Sequence, residues 1–330
     1  MQSRDIVIGM DIGGTKTKIG LVDRQGNVLN HGSFPSRSQE KFSAFLASLS
    51  KELDNLRARV KNPLNLLGVG IGAPNANFYT GKMENPVNFK WGTNVPVVDA
   101  IGDLLNVPTV MTNDANAAAV GELRFGRAKG MKDFVMITLG TGLGSGLVVD
   151  GKLVHGKHGL AGEMGHIVVR PDGRTCNCGN KGCLETYASA TGIKRTVFKL
   201  MSDMNGKSPL RQVAFNELTA KMITEAALAG DRLAQRAFTY TGTVLGTKLA
   251  DTVAYLNPEA IILSGGLTQA GHLLLEPTLV SMNTHLFPQM KGKAKLLLSK
   301  LDGANTAVLG AAALSWEHLD TIEKKTLALA

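Results

Sequence analysis

The sequence predicts a duplicated α/β fold of two domains. Three observations predict it. First, 330 residues are about two domains at roughly 100–200 residues each. Second, short apolar runs alternate with stretches whose apolar residues recur every three or four positions, so strands alternate with helices. Third, the N-terminal order of strand, Gly/Thr turn, strand, Asp-containing turn and strand recurs about 130 residues later. A chain with 44% hydrophobic and 19% charged residues is an ordinary globular one, which excludes wholesale disorder.

Residues 5–10 (DIVIGM) read as a buried strand, Asp11-Ile-Gly-Gly-Thr-Lys16 as a turn, and 18–22 as the next strand. DRQGN (23–27) is a second turn and 28–33 a third strand. From 38 to 60, Phe42, Phe45, Leu46, Leu49, Leu53, Leu56 and Val60 fall at gaps of mostly three and four, the stripe of an amphipathic helix. Then come strand 66–72, a Pro/Asn/Gly-rich loop (73–97), a short helix (98–106), strand 108–112, and a helix starting near Asn113-Asp114.

The second unit opens with strand 133–139, the glycine turn 140–146, strand 146–149, turn Asp150-Gly151 and strand 152–154. Residues 155–190 are loop-rich and hold all three cysteines, and 191–256 are largely helical. Strand 259–264 ends in Gly265-Gly266, followed by helix 271–281, strand 295–299 and helix 305–316.

Composition narrows the function classes. An ordinary membrane span is excluded, because no stretch of about 18 predominantly apolar residues exists. The N-terminal apolar run is too short for a signal peptide, so a cytoplasmic location is expected. The net charge of +9 fits either nucleic acid or anionic metabolites. The densest basic patch, Lys291, Lys293, Lys295 and Lys300, has no aromatic interleaving, and two Trp and four Tyr give few stacking platforms. The patch reads as a solvated face, and no nucleic-acid partner is expected.

Phosphate binding needs backbone N–H groups aimed at the anion with no Cβ in the way. Glycines supply that, threonine adds a hydroxyl and lysine a charge. Gly13, Gly14, Thr15 and Lys16 offer all three, and Asp11 offers a carboxylate for Mg²⁺. The order Gly-Thr-Lys and the strand that follows are not those of a P-loop, and a plain Gly-Gly hairpin explains this turn alone as well. The turn Gly140, Thr141, Gly142, Gly144, Gly146 likewise fails the dinucleotide fingerprint, because its glycines fall at every second residue and a strand follows. Two such turns, one per repeat, could hold one polyphosphate between them. Gly265-Gly266 would let a nucleotide approach, or simply turn the chain into a helix.

The cysteine cluster is the most specific signal. Glu163-Met-Gly-His166 is followed after nine residues by Cys176-Asn-Cys178-Gly-Asn-Lys-Gly-Cys183-Leu-Glu185. Three thiolates and one imidazole make a closed tetrahedral Zn²⁺ site, hence a structural one. His166 is the expected fourth ligand, with His155 and His158 as rivals on spacing. Glu163 and Glu185 bracket the cluster, so the metal would gather two carboxylates that suit vicinal hydroxyls. Finally, Asn113-Asp114 stands at a strand-to-helix junction. Asp114 is there either a helix cap or a general base at a strand's C-terminal end.

Together these motifs resemble the ROK family of sugar repressors, open reading frames and kinases. The pattern E-x-G-H, nine to eleven residues, C-x-C-G-x₂-G-C-x-E is matched at every fixed position from Glu163 to Glu185, and the other motifs appear in family order. The resemblance implies the actin-like, ribonuclease-H-type duplicated fold with an interdomain cleft. It implies a small domain of residues 1–117 plus 305–330, and a large domain of 118–304 carrying the zinc and the dimer contacts. It also implies a kinase that moves the γ-phosphoryl of ATP to the 6-hydroxyl of a hexose, glucose first. An N-acetylated amino sugar, fructose or allose is the alternative substrate. In that reading Asp114 takes the hydroxyl proton. Asn113, Glu163, His166 and Glu185 contact the other hydroxyls. Asp11, Gly13, Gly14, Thr15 and Lys16 face the phosphates and Mg²⁺, and the 140–146 turn with Gly265-Gly266 holds the rest of ATP. A homodimer, or a tetramer, is expected.

Family members usually show G-x-P-G after the fourth strand. Here the loop reads Gly72-Ala73-Pro74-Asn75, and Asn75 could keep the turn by tolerating positive φ while adding a hydroxyl contact. The family's repressors carry a DNA-binding domain ahead of the sugar fold. With the first phosphate turn at residue 11, no such domain is expected here.

Overall fold

The computed structural model describes residues 3–60, 63–301 and 305–329. The chain divides into two units, one of Met1–Gly130, Leu153–Ala161 and Lys300–Ala330, the other of Met131–Lys152 and Gly162–Ser299. The first division falls at Gly130 rather than at 117/118, because one continuous helix, 114–125, spans the expected boundary and packs wholly within the first unit.

The first unit is built on β1 (Arg4–Ile12), β2 (Lys16–Asp23), β3 (Val28–Pro35), α1 (Phe42–Ala58), β4 (Leu64–Gly72), β5 (Ala76–Asn77), β6 (Lys82–Glu84), β7 (Asn94–Val95), α2 (Val97–Leu105), β8 (Thr109–Thr112) and α3 (Asp114–Phe125). Its main sheet runs β3-β2-β1-β4-β8. β1 is antiparallel to β2 and parallel to β4, and β4 is parallel to β8. The stripe expected for α1 is the face that buries: Phe45, Leu49, Leu53 and Leu56 are all inside. Phe45 also packs on Phe34 and Trp91. Fully burying one such ring is worth roughly 1.5–3 kcal/mol.

The second unit is built on β9 (Phe134–Leu139), β10 (Leu143–Val149), β11 (Lys152–Leu153, whose second residue already counts with the first unit), α4 (Ala190–Asp203), α5 (Ala220–Leu228), α6 (Arg232–Leu256), β12 (Ala260–Ser264), α7 (His272–His285) and β13 (Lys295–Leu298). Its sheet runs β11-β10-β9-β12-β13. β9 is antiparallel to β10 and parallel to β12, which is parallel to β13. The order matches that of the first sheet throughout, and so do the directions of β10, β9, β12 and β13, so the expected duplication is present.

The chain then returns to the first unit as α8 (Thr306–Leu329), much longer than the expected 305–316. Gly9 and Gly70, paired across β1 and β4, let this helix lie against the sheet. A Cβ at either would collide with the backbone carbonyl of Val308 or Ala311. Two further differences matter. The expected loop 73–97 contains a small antiparallel sheet, β5-β6-β7, whose strands of two or three residues are too short for periodicity to reveal. β10 starts at Leu143, so Gly144 lies within a strand rather than in the turn.

Candidate active site and metal centre

Three parallel strands of the first unit, β1, β4 and β8, present their C-terminal ends on one edge of the sheet, where α/β folds place ligands. After β1 the chain turns through Gly13 to Lys16, with the Gly13 N–H donating to the Lys16 carbonyl at 3.2 Å. Ser36 braces the turn. Its hydroxyl donates to the Gly13 carbonyl at 2.6 Å and its N–H to that of Thr15 at 3.0 Å. Neither glycine takes the left-handed backbone region, and a Cβ at Gly14 would meet nothing closer than 3.7 Å. Hairpin geometry therefore does not require glycine at 14, whereas close approach of an anion to the backbone would.

After β4, the Ala73 N–H donates to the Thr112 carbonyl at 3.1 Å, tying the loop to the end of β8. Asn75 adopts φ +54° with an exposed side chain, and its carbonyl accepts the Glu84 N–H at 2.9 Å. The turn thus survives without the glycine, as the tolerance of asparagine for this region leads one to expect.

After β8, Asn113 rather than Asp114 is the helix cap. Its Oδ1 accepts the Asn116 N–H at 2.7 Å. Asp114 is the first helical residue, and its Oδ1 accepts the Ala115 N–H at 2.9 Å. Burial pushes the Asp114 carboxyl above the usual range, against the pull of that backbone hydrogen bond. Asp11 near the end of β1 is pushed up to about 6, by burial first and then by the charge of Asp114, with Lys18 opposing. The first edge thus gathers two electrostatically coupled carboxyls. Such hard oxygen donors suit Mg²⁺, which would relieve their mutual repulsion.

The second unit repeats the arrangement. After β9 the chain turns through Gly140, Thr141 and Gly142, held by the start of α4. The Ala190 N–H donates to the Gly140 carbonyl at 2.9 Å and the Thr191 N–H to that of Thr141 at 3.4 Å. Ser189 caps this helix, accepting the Gly192 N–H at 2.9 Å. After β12, Gly265 stands at φ +95° against the main chain of Leu139, which only glycine permits. Gly265-Gly266 is thereby brought beside the 140–142 turn. A Cβ at Gly140 or Gly266 would meet no atom within 4 Å, so both backbones face open space that a nucleotide could fill.

His166, Cys176, Cys178 and Cys183 come together, with one ligand atom from each all within 4.8 Å of one another. The Cys178 and Cys183 sulfurs are 3.7 Å apart, as are His166 Nδ1 and the Cys176 sulfur. A tetrahedron with Zn–S bonds of ~2.3 Å has S···S edges of ~3.8 Å, so the donor set fits Zn²⁺. Gly179 (φ +95°) and Gly182 (φ +75°) make the turns that fold the cysteines inward. Burial pushes the Cys176 thiol up to about 12 and raises Cys183, while the Asn180 N–H lowers Cys178. A bound dication would supply the charge that lets all three ionise. Glu163 Oε2 stands 4.0 Å from His166 Nε2. Glu185 Oε1 lies 3.4 Å from the Cys176 sulfur, and its Oε2 accepts the Leu143 N–H at 3.2 Å. The rivals stand elsewhere, in the first unit: His155 stacks on Phe78 at 3.9 Å, and the His158 carbonyl accepts from Asn77 at 3.1 Å.

Sequence reasoning missed Ser36, Asn77 and Ser145. The Ser145 hydroxyl donates to the Gly162 carbonyl and accepts the Met164 N–H at 3.2 Å, anchoring the segment that carries Glu163. Isolated polar residues of this kind carry no spacing signal.

The two five-stranded repeats, with glycine turns at matching strand ends and a Cys₃His module in the second, define an α/β protein of the duplicated, actin-like kind. The ROK family model matches residues 7–318, and the chain belongs to that family. It is 34% identical over 321 residues to a glucokinase of Halalkalibacterium halodurans, covering 96% of this chain and 97% of that one. It is 30% identical to a xylose repressor of Caldicellulosiruptor bescii, covering 93% of this chain and 77% of the repressor. Among solved structures, a ROK family glucokinase from Streptomyces griseus in complex with glucose and AMPPNP superposes with TM-score 0.78 and 33% identity, over 94% of this chain and 99% of that one.

Proposed function

We propose that this chain is an ATP-dependent hexose kinase that phosphorylates glucose at the 6-hydroxyl. The observation that carries the reading is Asp114: a solvent-accessible carboxylate at the C-terminal end of β8, its basicity raised by the protein atoms crowded around it, and relieved of the capping role by Asn113. The likeness to glucokinases over almost the whole chain supports it.

Asp114 accepts the proton of the sugar 6-hydroxyl as that oxygen bonds to the γ-phosphorus. The bond from the γ-phosphorus to the β–γ bridging oxygen breaks, and ADP leaves. A raised pKa suits this task, because a stronger base takes more of the proton in the transition state. Asn113, Asn75, Glu163, His166 and Glu185 orient the remaining hydroxyls. Gly13, Gly14, Thr15 and Lys16 hold phosphate oxygens, and Asp11 is the carboxylate for Mg²⁺, which supplies charge neutralisation when bound. Gly140, Thr141, Gly142 and Gly144 with Gly265 and Gly266 hold the rest of the nucleotide. Zn²⁺ on His166, Cys176, Cys178 and Cys183 has a structural role, since four protein donors leave no open position.

Among the described residues no helix is long and apolar enough to cross a membrane. We read the enzyme as cytoplasmic and as a homodimer or tetramer, which light scattering tests. ADP release measured across a panel of glucose, N-acetylglucosamine, N-acetylmannosamine, fructose and allose tests the activity. Turnover with none of them, alongside sequence-specific duplex binding in a gel shift, would replace the kinase with the regulator that the repressor relative brings to mind.

A further inference from the structure

Glu185 has a second connection that sugar contact does not explain. Its Oε2 accepts the N–H of Leu143, the residue that closes the second glycine turn and opens β10. A Cβ on Gly142 would run into that same oxygen, so the glycine leaves room for the carboxylate. The turn is therefore gripped on both sides. The first turn of α4 holds the carbonyls of Gly140 and Thr141, and Glu185 holds the N–H that follows Gly142. Both grips come from one short segment that begins at the ligand Cys183, two residues before Glu185 and seven before Ala190. Within it, the Thr186 N–H and hydroxyl both donate to the Cys183 carbonyl, at 3.0 and 2.7 Å.

The other oxygen, Oε1, accepts from the Cys176 thiol at 3.4 Å. Oε1 makes no bond to the turn, so under the proposed function it is the oxygen that stays available to a sugar hydroxyl. One carboxylate would then serve both ligands, with Oε2 on the turn and Oε1 on the sugar.

We propose that Glu185 is a positioning residue for the nucleotide: by holding the Leu143 N–H it sets the 140–142 turn in the conformation that receives phosphate, independently of its contact with sugar. The inference rests on the reading that this turn binds nucleotide. A typical net hydrogen bond is worth up to about a tenfold change in an equilibrium. The glutamine variant keeps an acceptor oxygen in place, whereas aspartate keeps the charge but falls short of the amide.

The test is calorimetric binding of AMPPNP with Mg²⁺ and no sugar, so that sugar contact cannot contribute. Wild type, E185Q, E185D and E185A, all zinc-loaded, are compared, with Tm recorded for each. The expected result is wild-type affinity within about twofold for E185Q and a loss of about tenfold for E185D and E185A. E185D carries the test if E185A does not fold. Equal affinity in E185D and wild type would overturn the inference while leaving the kinase reading intact. No AMPPNP binding by folded wild type would overturn the nucleotide reading, and the inference with it.

Discussion

Replacing Asp114 by asparagine separates chemistry from architecture at one atom. Asparagine keeps an oxygen for the Ala115 N–H, now 2.9 Å from Asp114 Oδ1, and leaves the Asn113 cap on Asn116 untouched. What it removes is the ability to take a proton. A positioned general base typically contributes roughly 10²–10⁴-fold, so kcat should fall by that factor, about 3–5 kcal/mol in the barrier. Stability should not fall with it. A carboxylate in the first turn of a helix gains about 0.3–1 kcal/mol from the helix dipole, which D114N gives up. The raised pKa, however, means that crowding by protein atoms outweighs the backbone hydrogen bonds that favour the ionised form. The neutral side chain therefore removes a net penalty near neutral pH, and Tm at pH 7.5 should stay level or rise. Coupled ADP release and differential scanning calorimetry on the same preparation measure both. A variant with near wild-type kcat would remove Asp114 as the base. A variant that loses activity together with a large drop in Tm would show that the residue matters for folding instead.

The coupled pair Asp11 and Asp114 predicts that kcat/KM declines as pH falls through about 6, where Asp11 takes up a proton. The same shift has a stability consequence of opposite sign. Because the folded form holds this proton more tightly than the usual 3.8, the penalty for ionising Asp11 is absent below pH 4, grows to about pH 6 and is complete above it. Asp11→Asn without added Mg²⁺ should therefore stabilise by at most about 3 kcal/mol at pH 8 and by nothing at pH 4; equal gains at both pH values would refute the argument. Metal analysis should find one zinc per chain, with Zn–S distances of ~2.3 Å by X-ray absorption. Cys178→Ser should lower Tm and weaken sugar binding, and a zinc-free preparation with full activity would contradict this. Asn75→Gly should leave Tm within about 1 °C, since φ +54° suits glycine, but should change the ratio of kcat/KM between glucose and its epimers. An unchanged ratio would remove Asn75 from the sugar contacts.

Much of the fold and of the candidate site was legible in the sequence, because each legible part is local. The helical stripe of α1 and the two glycine turns are periodicities or spacings within a few dozen residues, and the repeated strand order is two such local patterns about 130 residues apart. So is the donor run from His166 to Cys183: chain connectivity alone keeps four such donors within reach of one another. Other features depend on atoms distant in sequence. Nothing near Asp11 signals that its carboxyl titrates near 6, because that value comes from burial under the sheet edge and from Asp114, about a hundred residues on. The cap at α3 went to Asn113 rather than Asp114, a one-residue choice set by backbone dihedrals that residue type does not dictate. Gly9 and Gly70 read as ordinary strand glycines until α8 is laid across them. Glu185 reads as half of a pair of sugar-facing acids, and only the packed structure gives one of its oxygens to the amide of Leu143, 42 residues earlier. The sequence by itself determined the class of fold, the glycine turns at the strand ends and the four donors that come together, because short-range order needs no more than neighbouring residues. Tertiary structure alone decided which carboxyl is strained, which residue caps and which acid grips the turn, because burial and hydrogen bonding across sequence distance exist only once the chain has packed.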